Sequence, residues 1–435
     1  IIMLRKTESA IVFVQQLGRG LRKDPSKEFT LVLDFIGNYQ QNYLIPIALA
    51  GDRTYNKDNL RKVVKEGSSI IPGCSTITFD HISEQRVFKA LEEGRFGTAK
   101  LIRSEYGDLR RLLGRIPSLL DFDANESIDP MIIINKYGSY PAFLQQYEQD
   151  CPYSFSPKML DYLKFISTKM ASGKRRAELL ILRELLKNAS GAADKASAAC
   201  RSRESAKSAI RMLSGEFSTR GEQLVKEVNG EISLDPQFEA ALSDPWFRSC
   251  VCDVLEFGLS RNDATFAETY KDTDFVLNQK YTREDVCRLL RWAKEPNYQN
   301  VGGYFHDKET NTFPVFINYE KDPDISVTTQ YEDRFVSDRE IICISKSNRT
   351  LQSPEIGNLA RAEELGMRCF LFLRKNKKDK DDGTEFYFLG EMHPTGQFEQ
   401  IVMEDGSTSA VEITYDLETP VRADLYDYFL SSFDN

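Results

Sequence analysis

The residues best suited to phosphate chemistry lie near the start of the sequence, in the pattern Gln15-x-x-Gly18-Arg19-x-x-Arg22. Arginine is always charged and presents a fixed fork of donors, so it stabilises charge that develops on phosphate oxygens. If this segment is helical, Arg19 and Arg22 project from one face and reach one phosphate together. The alternative interpretation is a solvated basic helix face.

A second set of candidate residues lies in a basic segment in the middle of the chain. Between Lys174 and Arg211 the sequence has ten basic and four acidic residues, although the whole chain carries a net charge of −9. Such local excess of positive charge is typical of a surface that contacts phosphates. The predicted nucleic-acid contacts here are Lys174, Arg175, Arg176, Arg203 and Lys207. A solvated face of a helix bundle is the alternative.

A third set combines aromatic and basic residues near the C-terminus. Tyr304, Tyr331 and Phe335 are candidates for stacking on a base, and Lys346 and Arg349 are candidates for phosphate contacts in a loop after a strand. Aromatic residues in strands are more often part of the core, which is the competing interpretation.

Several kinds of site are not supported by the sequence. There is no Gly-x-x-x-x-Gly-Lys-Ser/Thr run to cradle a phosphate, and no cysteine pair has zinc-site spacing. We predict no metal site and interpret the eight cysteines as free thiols in a reducing cytoplasm. Glu340 and Lys346 are too far apart in sequence for the Glu-x-Lys pattern of a metal-dependent nuclease.

The predicted elements place these residues on four segments. Residues 1–50 form a strand, a helix capped by Ser9 and a buried parallel strand over Phe29–Phe35. Residues 51–150 are mostly helical. In residues 151–262 three helices precede a hairpin with an Asn229-Gly230 turn, the pattern of a winged helix. Residues 263–435 alternate strands with turn signals, which predicts a mixed, β-rich domain.

The Gln15–Arg22 pattern resembles motif VI of superfamily 2 helicases, near the type III restriction subunits and bacterial DEAD/DEAH relatives. The resemblance implies that Arg22 is an arginine finger, that Arg19 also faces the γ-phosphate, and that Gln15 couples nucleotide to nucleic acid. It further implies that residues 1–50 are the end of a second RecA-like lobe. Since Ile1 opens directly on an apolar strand, we interpret the chain as a fragment of a longer polypeptide.

A second resemblance covers much of the remaining chain. Runs such as Asn300–Phe305, Tyr331–Phe335 and Ser345–Arg349 resemble an uncharacterised domain that follows the helicase core in many bacterial superfamily 2 proteins. Some members resemble modification-dependent restriction enzymes in which a phospholipase-D-type nuclease precedes the helicase. Their C-terminal domain is similar to modified-base readers of the SRA or PUA type.

The sequence therefore predicts a multidomain α+β protein. The predicted domains are a partial RecA-like lobe (1–50), a helical connector (51–150), a winged-helix-like domain (151–262) and a β-rich recognition domain (263–435). The predicted function is that of a cytoplasmic, ATP-dependent DNA helicase or translocase in restriction or repair. Its predicted partner is duplex DNA, and one form of the hypothesis is that this DNA carries a modification. ATP and Mg²⁺ are expected only in the full-length protein, and this fragment alone should be inactive. The alternative is a non-catalytic module that docks a nuclease domain or subunit; no membrane partner is expected.

Overall fold

A computed structural model describes residues 2–3, 33–34, 47, 54–66, 86–91, 94, 96–187, 200–218, 220–228, 231–298, 303–319, 333–375, 384–403 and 406–430. The chain divides into two compact units. One comprises residues 1–136, 378–381 and 431–435, and the other comprises residues 137–377 and 382–430. Helices and a multi-stranded mixed sheet together make this a multidomain α+β protein, as predicted.

The first unit contains a short parallel sheet and several helices. Strand β1 (Ile2–Met3) pairs in parallel with β2 (Leu33–Asp34), as expected for a strand–helix–strand segment. The predicted burial of β2 on both faces is wrong at Leu33, which is 49% exposed. The helices are α1 (Lys57–Glu66), α2 (Ala99–Leu113), α3 (Leu119–Ala124) and α4 (Pro130–Tyr137), and residues 86–91 are also helical. Helix α4 contains Met131–Ile134, a segment for which the sequence left strand and helical turn open.

The second unit begins with a bundle of helices whose starts are fixed by polar caps. The backbone N–H groups of a first helical turn have no partner within the helix. Here they donate hydrogen bonds to the side chains of Ser156, Ser202 and Asp244. The helices are α5 (Tyr140–Tyr147), α6 (Pro157–Met170), α7 (Arg176–Leu186), α8 (Arg203–Leu213), α9 (Pro236–Ala241) and α10 (Pro245–Arg261), followed by a π-helical turn at Asn262–Phe266.

The predicted hairpin after α8 is confirmed. Strands β3 (Val225–Val228) and β4 (Glu231–Leu234) are antiparallel, with Val228 opposite Glu231. The turn residues Asn229 and Gly230 lie outside the described residues. Helices α6, α7 and α8 followed by this hairpin reproduce the predicted winged-helix order.

The C-terminal part is built on a seven-stranded sheet. Its strands are β5 (Lys280–Thr282), β6 (Thr312–Asn318), β7 (Arg334–Ser337), β8 (Glu340–Ile344), β9 (Arg368–Arg374), β10 (Glu385–Val402) and β11 (Ser409–Leu417). The order is β6-β9-β10-β11-β8-β7, and β5 also pairs with β10. Among the described strand pairs of this sheet, β6–β9 is parallel and the others are antiparallel. Helices α11 (Arg283–Leu289), α12 (Pro354–Ala360) and α13 (Ala423–Leu430) complete this part.

Strand β10 is much longer than the predicted strand Glu385–Leu389. It continues to Val402 because two irregularities in its pairing bend the strand without ending it. The register shifts once between Phe388 and Gly390, where Gly390 has φ +102°, and again between Pro394 and Phe398. Glycine tolerates that conformation, and bulges bend a strand without ending it. As a result β10 pairs along one edge with β5 and then with β11.

The sheet curls, so strands at opposite ends of its order approach each other. The Tyr319 hydroxyl, just after β6, accepts a hydrogen bond of 3.4 Å from the backbone N–H of Phe335 in β7. A buried aromatic core fills the sheet elsewhere; Phe275 packs on Phe372 and Phe388 with ring centroids 5.4 and 4.8 Å away.

Three further element predictions are wrong. Lys280–Thr282 form a strand before the helix predicted to start there, and α11 ends at Leu289 and not at Lys294. The strand predicted at Gly303–His306 is reduced to an isolated bridge between Tyr304 and Val315. Neither β7 nor α13 was predicted.

Candidate nucleic-acid interface

The first two residues of the basic segment, Lys174 (nearly buried) and Arg175 (buried), lie between the helices and the C-terminal part. The Lys174 ammonium lies 2.7 Å from Asp285 Oδ2 and 2.6 Å from Glu385 Oε1. The Arg175 guanidinium donates to both carboxylate oxygens of Glu178, at 2.8 and 2.6 Å, and its side chain is 1% exposed. Their donors are thus engaged within the protein.

Arg288 of α11 joins these ion pairs into one network. Its guanidinium donates to Glu178 Oε1 at 2.5 Å and to Asp285 Oδ1 at 2.9 Å. Burial by itself would raise the pKa of Glu178, but the charges of Arg175 and Arg288 outweigh it and lower the pKa to about 2. Burial would likewise raise the pKa of Asp285, but the charges of Lys174 and Arg288 outweigh this effect. The pKa of Asp285 therefore lies well below its usual range. These groups therefore remain charged at neutral pH.

The same surface continues along α8 with hydrogen bonds to the C-terminal part. Ser205 donates to Asp274 Oδ2 at 2.8 Å, Ser208 to the carbonyl of Arg288 at 3.1 Å, and Arg211 to the carbonyl of Arg291 at 2.9 Å. A winged helix that enters the major groove needs an open face on its third helix. Here one face of α8 is covered by the C-terminal part and another belongs to the helical core.

The other predicted contacts of the segment are nearer to solvent. Arg203 and Lys207 are exposed and one turn apart on α8, so they share a face. Arg176 forms an ion pair with Asp263 on the surface of the helical bundle. The structure therefore separates the five predicted residues into Lys174 and Arg175, whose donors are engaged within the fold, and Arg176, Arg203 and Lys207, which lie nearer to solvent.

A cavity of about 120 Å³ lies within the curl of the C-terminal sheet. Its walls come from β6, at one end of the strand order, and from β8 and β11 near the other; Arg283, Gly303, Tyr304 and Asp333 complete it. Val315, Ile317 and Ile413 contribute apolar atoms to a lining that is polar for the most part. Asp333 also lines the cavity, and its Oδ1 accepts a hydrogen bond of 2.9 Å from the backbone N–H of Ile344. A cavity of similar size, about 150 Å³, accommodates a benzene ring in another protein, so one planar ring is the scale of ligand that fits.

Tyr304 links this cavity to the predicted basic loop. Its ring lies between Phe313, stacked at 5.1 Å, and the Lys346 ammonium, 4.8 Å from the ring centroid. Its hydroxyl accepts a hydrogen bond of 3.0 Å from the backbone N–H of Lys346. Tyr304 is 5% exposed and its ring contacts Phe313 and Lys346, so it is a wall of the cavity and a support for the loop; its stacking on a base stays a prediction.

We define the basic loop as Ser345–Arg349. Its backbone is held against β11, because Ser345 N–H donates to the carbonyl of Val411 and Asn348 N–H to that of Ser409, at 2.9 and 2.8 Å. Asn348 has φ +62°, a left-handed conformation that asparagine tolerates better than most residues. Arg349 Nε lies 3.5 Å from Glu355 Oε2 of α12. Lys346 and Arg349 are both partly exposed.

Burial raises the pKa of Tyr304, so its phenol stays protonated. Burial also lowers the pKa of Lys346, which the nearby charge of Arg349 lowers further and that of Glu355 partly restores.

Phe335 does not face the cavity. Its ring packs against Tyr319, Tyr426 and Phe429, with centroids 5.5, 5.3 and 6.3 Å away, so it anchors α13 to the sheet. The structure places Phe335 away from the cavity, and its stacking on a base stays a prediction. Tyr331 lies outside the described residues, and so do Gln15, Arg19 and Arg22.

Nothing in the sequence indicates that Asp333, Cys343 and Glu355 lie in or beside the cavity, because their neighbours there are distant along the chain. No group of three acidic, histidine or cysteine residues among those described is arranged to hold a metal ion. Among the described helices, none combines the length and the apolar character needed to cross a membrane.

Two parts of the chain match known protein families. Residues 275–429 match a domain of unknown function (DUF3427), and residues 102–266 match a second domain of unknown function (DUF8090). DUF3427 is a domain found after helicase cores in superfamily 2 helicase-like proteins. Each match covers less than half of the chain. No match to a curated protein was found.

Proposed function

We propose that this chain is the DNA-recognising part of an ATP-driven superfamily 2 helicase or translocase that acts in restriction or repair in the cytoplasm. The observation that carries the proposal is the position of Tyr304, which lines a ring-sized cavity and supports a basic loop at the same time. The match to a domain that follows helicase cores supports the motor context.

In this proposal the cavity holds one base taken out of the stack. A flipped base is recognised by apolar or aromatic walls and by hydrogen bonds to its edge. Asp333 is the acidic side chain in the wall, and a carboxylate accepts from the amino group of cytosine. The apolar side chains in the lining, Val315, Ile317 and Ile413, give a place where a modified base could differ from an unmodified one.

The basic loop contacts the phosphates on either side of that base. Lys346 and Arg349 follow β8 directly, and the loop backbone is fixed by β11, so their positions need little further ordering on binding. Arg203, Lys207 and Arg176 are proposed as additional phosphate contacts. Lys174 and Arg175 are not part of this proposal, because the structure engages their donors elsewhere.

The ATP part of the proposal depends on sequence alone. Gln15, Arg19 and Arg22 would form one side of an ATP–Mg²⁺ site in the full-length protein, with Arg22 as the arginine finger. Arg22→Ala in that protein should abolish ATP turnover and spare DNA binding. Unchanged turnover would refute the assignment of the finger.

Binding of a labelled duplex by this chain, measured at several salt concentrations, tests the DNA part. Affinity should fall steeply with salt, since each phosphate neutralised contributes about −0.9 to the slope of log K against log salt. No binding by the folded chain would refute the proposal and favour the alternative, a module that docks a nuclease domain or subunit.

A further inference from the structure

Glu355 of α12 lies among the side chains of the basic loop. Its Oε2 lies 3.5 Å from Arg349 Nε, and its negative charge acts on the neighbouring side chains of Tyr304 and Lys346. One acidic group therefore faces both cations that the proposed function assigns to phosphate binding.

The position of the loop does not depend on Glu355. Its backbone is fixed by hydrogen bonds to Val411 and Ser409, and Tyr304 is held by Phe313 and by the backbone N–H of Lys346. The single contact with Arg349 is long and its partners are 33% and 28% exposed, so it orders the arginine only weakly.

We propose that Glu355 restrains DNA binding, because its carboxylate lies beside Lys346 and Arg349, the cations that would otherwise attract a DNA phosphate. This inference rests on the proposed function and adds an acidic residue that sets its strength. A phosphate that approaches Lys346 and Arg349 meets repulsion from Glu355 and must compete with it for Arg349.

The opposite effect, in which Glu355 helps binding by ordering the loop, is disfavoured by the same contacts. Glu355 Oε1 is buried and accepts no hydrogen bond, so an amide at this position loses none there. Glutamine keeps an oxygen that can accept from the Tyr304 hydroxyl. Glu355→Gln thus removes the charge and leaves the support of the loop in place.

The test measures duplex affinity of the whole chain over a series of salt concentrations for the wild type and Glu355→Gln. At low salt the variant should bind about five-fold more tightly, the effect of removing one unit of repulsion near the surface. Its log–log salt slope should be steeper by about 0.9, because the loop has one more uncompensated positive charge to neutralise a phosphate.

Glu364→Gln is the matched control. Glu364 is exposed and lies in the turn after α12. Its substitution removes the same charge from the same region, at a residue that does not contact the loop. Its affinity should stay within about two-fold of the wild type, since an exposed charge is screened by salt. Equal gains in both variants would show an effect of net charge alone and would overturn the role of Glu355.

Two other outcomes are distinguishable. If the wild type binds the duplex and Glu355→Gln binds equally or more weakly, Glu355 does not restrain binding, although the proposed function stands. If neither protein binds the duplex, the proposed function is refuted, and the inference falls with it.

Discussion

Lys174 and Arg175 in the helical part and Lys346 and Arg349 in the sheet part are both short basic groups, yet they have opposite surroundings. The first pair is surrounded by Glu178, Asp285 and Glu385 and is almost fully buried. The second pair remains partly exposed beside a cavity, with the Glu355 carboxylate nearby. Positive charge in a sequence thus marks two different tasks, one of which is to join parts of the fold.

The difference has an energetic origin. Charges removed from water are stable only when opposite charges and hydrogen bonds replace the solvent, and removal of one partner leaves the others uncompensated. Exposed charges are compensated by water and gain little from one ion pair. We therefore expect large effects on stability from the buried pair and effects on binding from the exposed pair.

The largest expected effect separates two adjacent arginines. Arg175→Ala leaves the buried Glu178 with one cation fewer and should lower the free energy of unfolding by about 3–5 kcal/mol. Arg176→Ala removes an ion pair whose partners are 41% and 62% exposed, and should cost less than about 1 kcal/mol. Urea unfolding followed by circular dichroism measures both. Equal losses would contradict the distinction between buried and exposed charges.

A somewhat smaller effect concerns the turn that carries Lys174. Gly173 has φ +71°, and a Cβ there would lie 2.5 Å from the carbonyl oxygen of Gly258 in α10. Gly173→Ala should therefore destabilise the protein by about 2 kcal/mol or more. Gly357→Ala in α12 is the control, because nothing lies within 4 Å of its added Cβ and alanine favours a helix. A neutral Gly173→Ala would show that α10 can move away from this turn.

A third effect is the pH dependence of the buried network. The pKa of Glu178 falls from 4.5 to about 2 on folding, so its stabilising contribution is complete above about pH 4.5 and is lost as pH falls toward 2. Glu178→Gln lacks this titration. Its unfolding free energy should change less between pH 5 and pH 3 than that of the wild type, by about 1–2 kcal/mol.

The exposed Glu239→Gln is the control for this comparison and should retain the wild-type dependence on pH. A wild-type profile identical to that of Glu178→Gln would mean that Glu178 does not titrate with folding.

Much of the helical part could be predicted from the sequence because its signals are local. Ser156 and Pro157 mark the start of α6, and the predicted Ala99–Leu113 helix has the observed bounds. The β3–β4 hairpin is likewise encoded by neighbouring residues. The contacts that join these helices to the C-terminal part could not be predicted in this way, since Arg288 lies 110 residues from Glu178 and Glu385 lies 211 residues from Lys174.

The site in the sheet was predicted only in part for a related reason. Lys346 and Arg349 were identified because a basic loop after a strand is a local pattern. Tyr304 and Phe335 were assigned to stacking because an aromatic residue carries no local sign of which ring covers it. The strand predicted at Glu385–Leu389 stops before Gly390, whereas in the structure β10 continues through a bulge there in its pairing with β9.

The central claim is that the two basic groups have different tasks, and one measurement on matched variants tests it. Lys174→Ala and the double variant Lys346→Ala/Arg349→Ala are compared for duplex affinity over a salt series and for urea unfolding midpoint. The double variant should bind more weakly, with a salt slope shallower by about 1.8, and should unfold near the wild-type midpoint. Lys174→Ala should unfold at a lower urea concentration. Its folded fraction should bind the duplex with the wild-type dependence of log affinity on log salt. A shallower slope for folded Lys174→Ala, together with an unchanged slope for the double variant, would contradict the account.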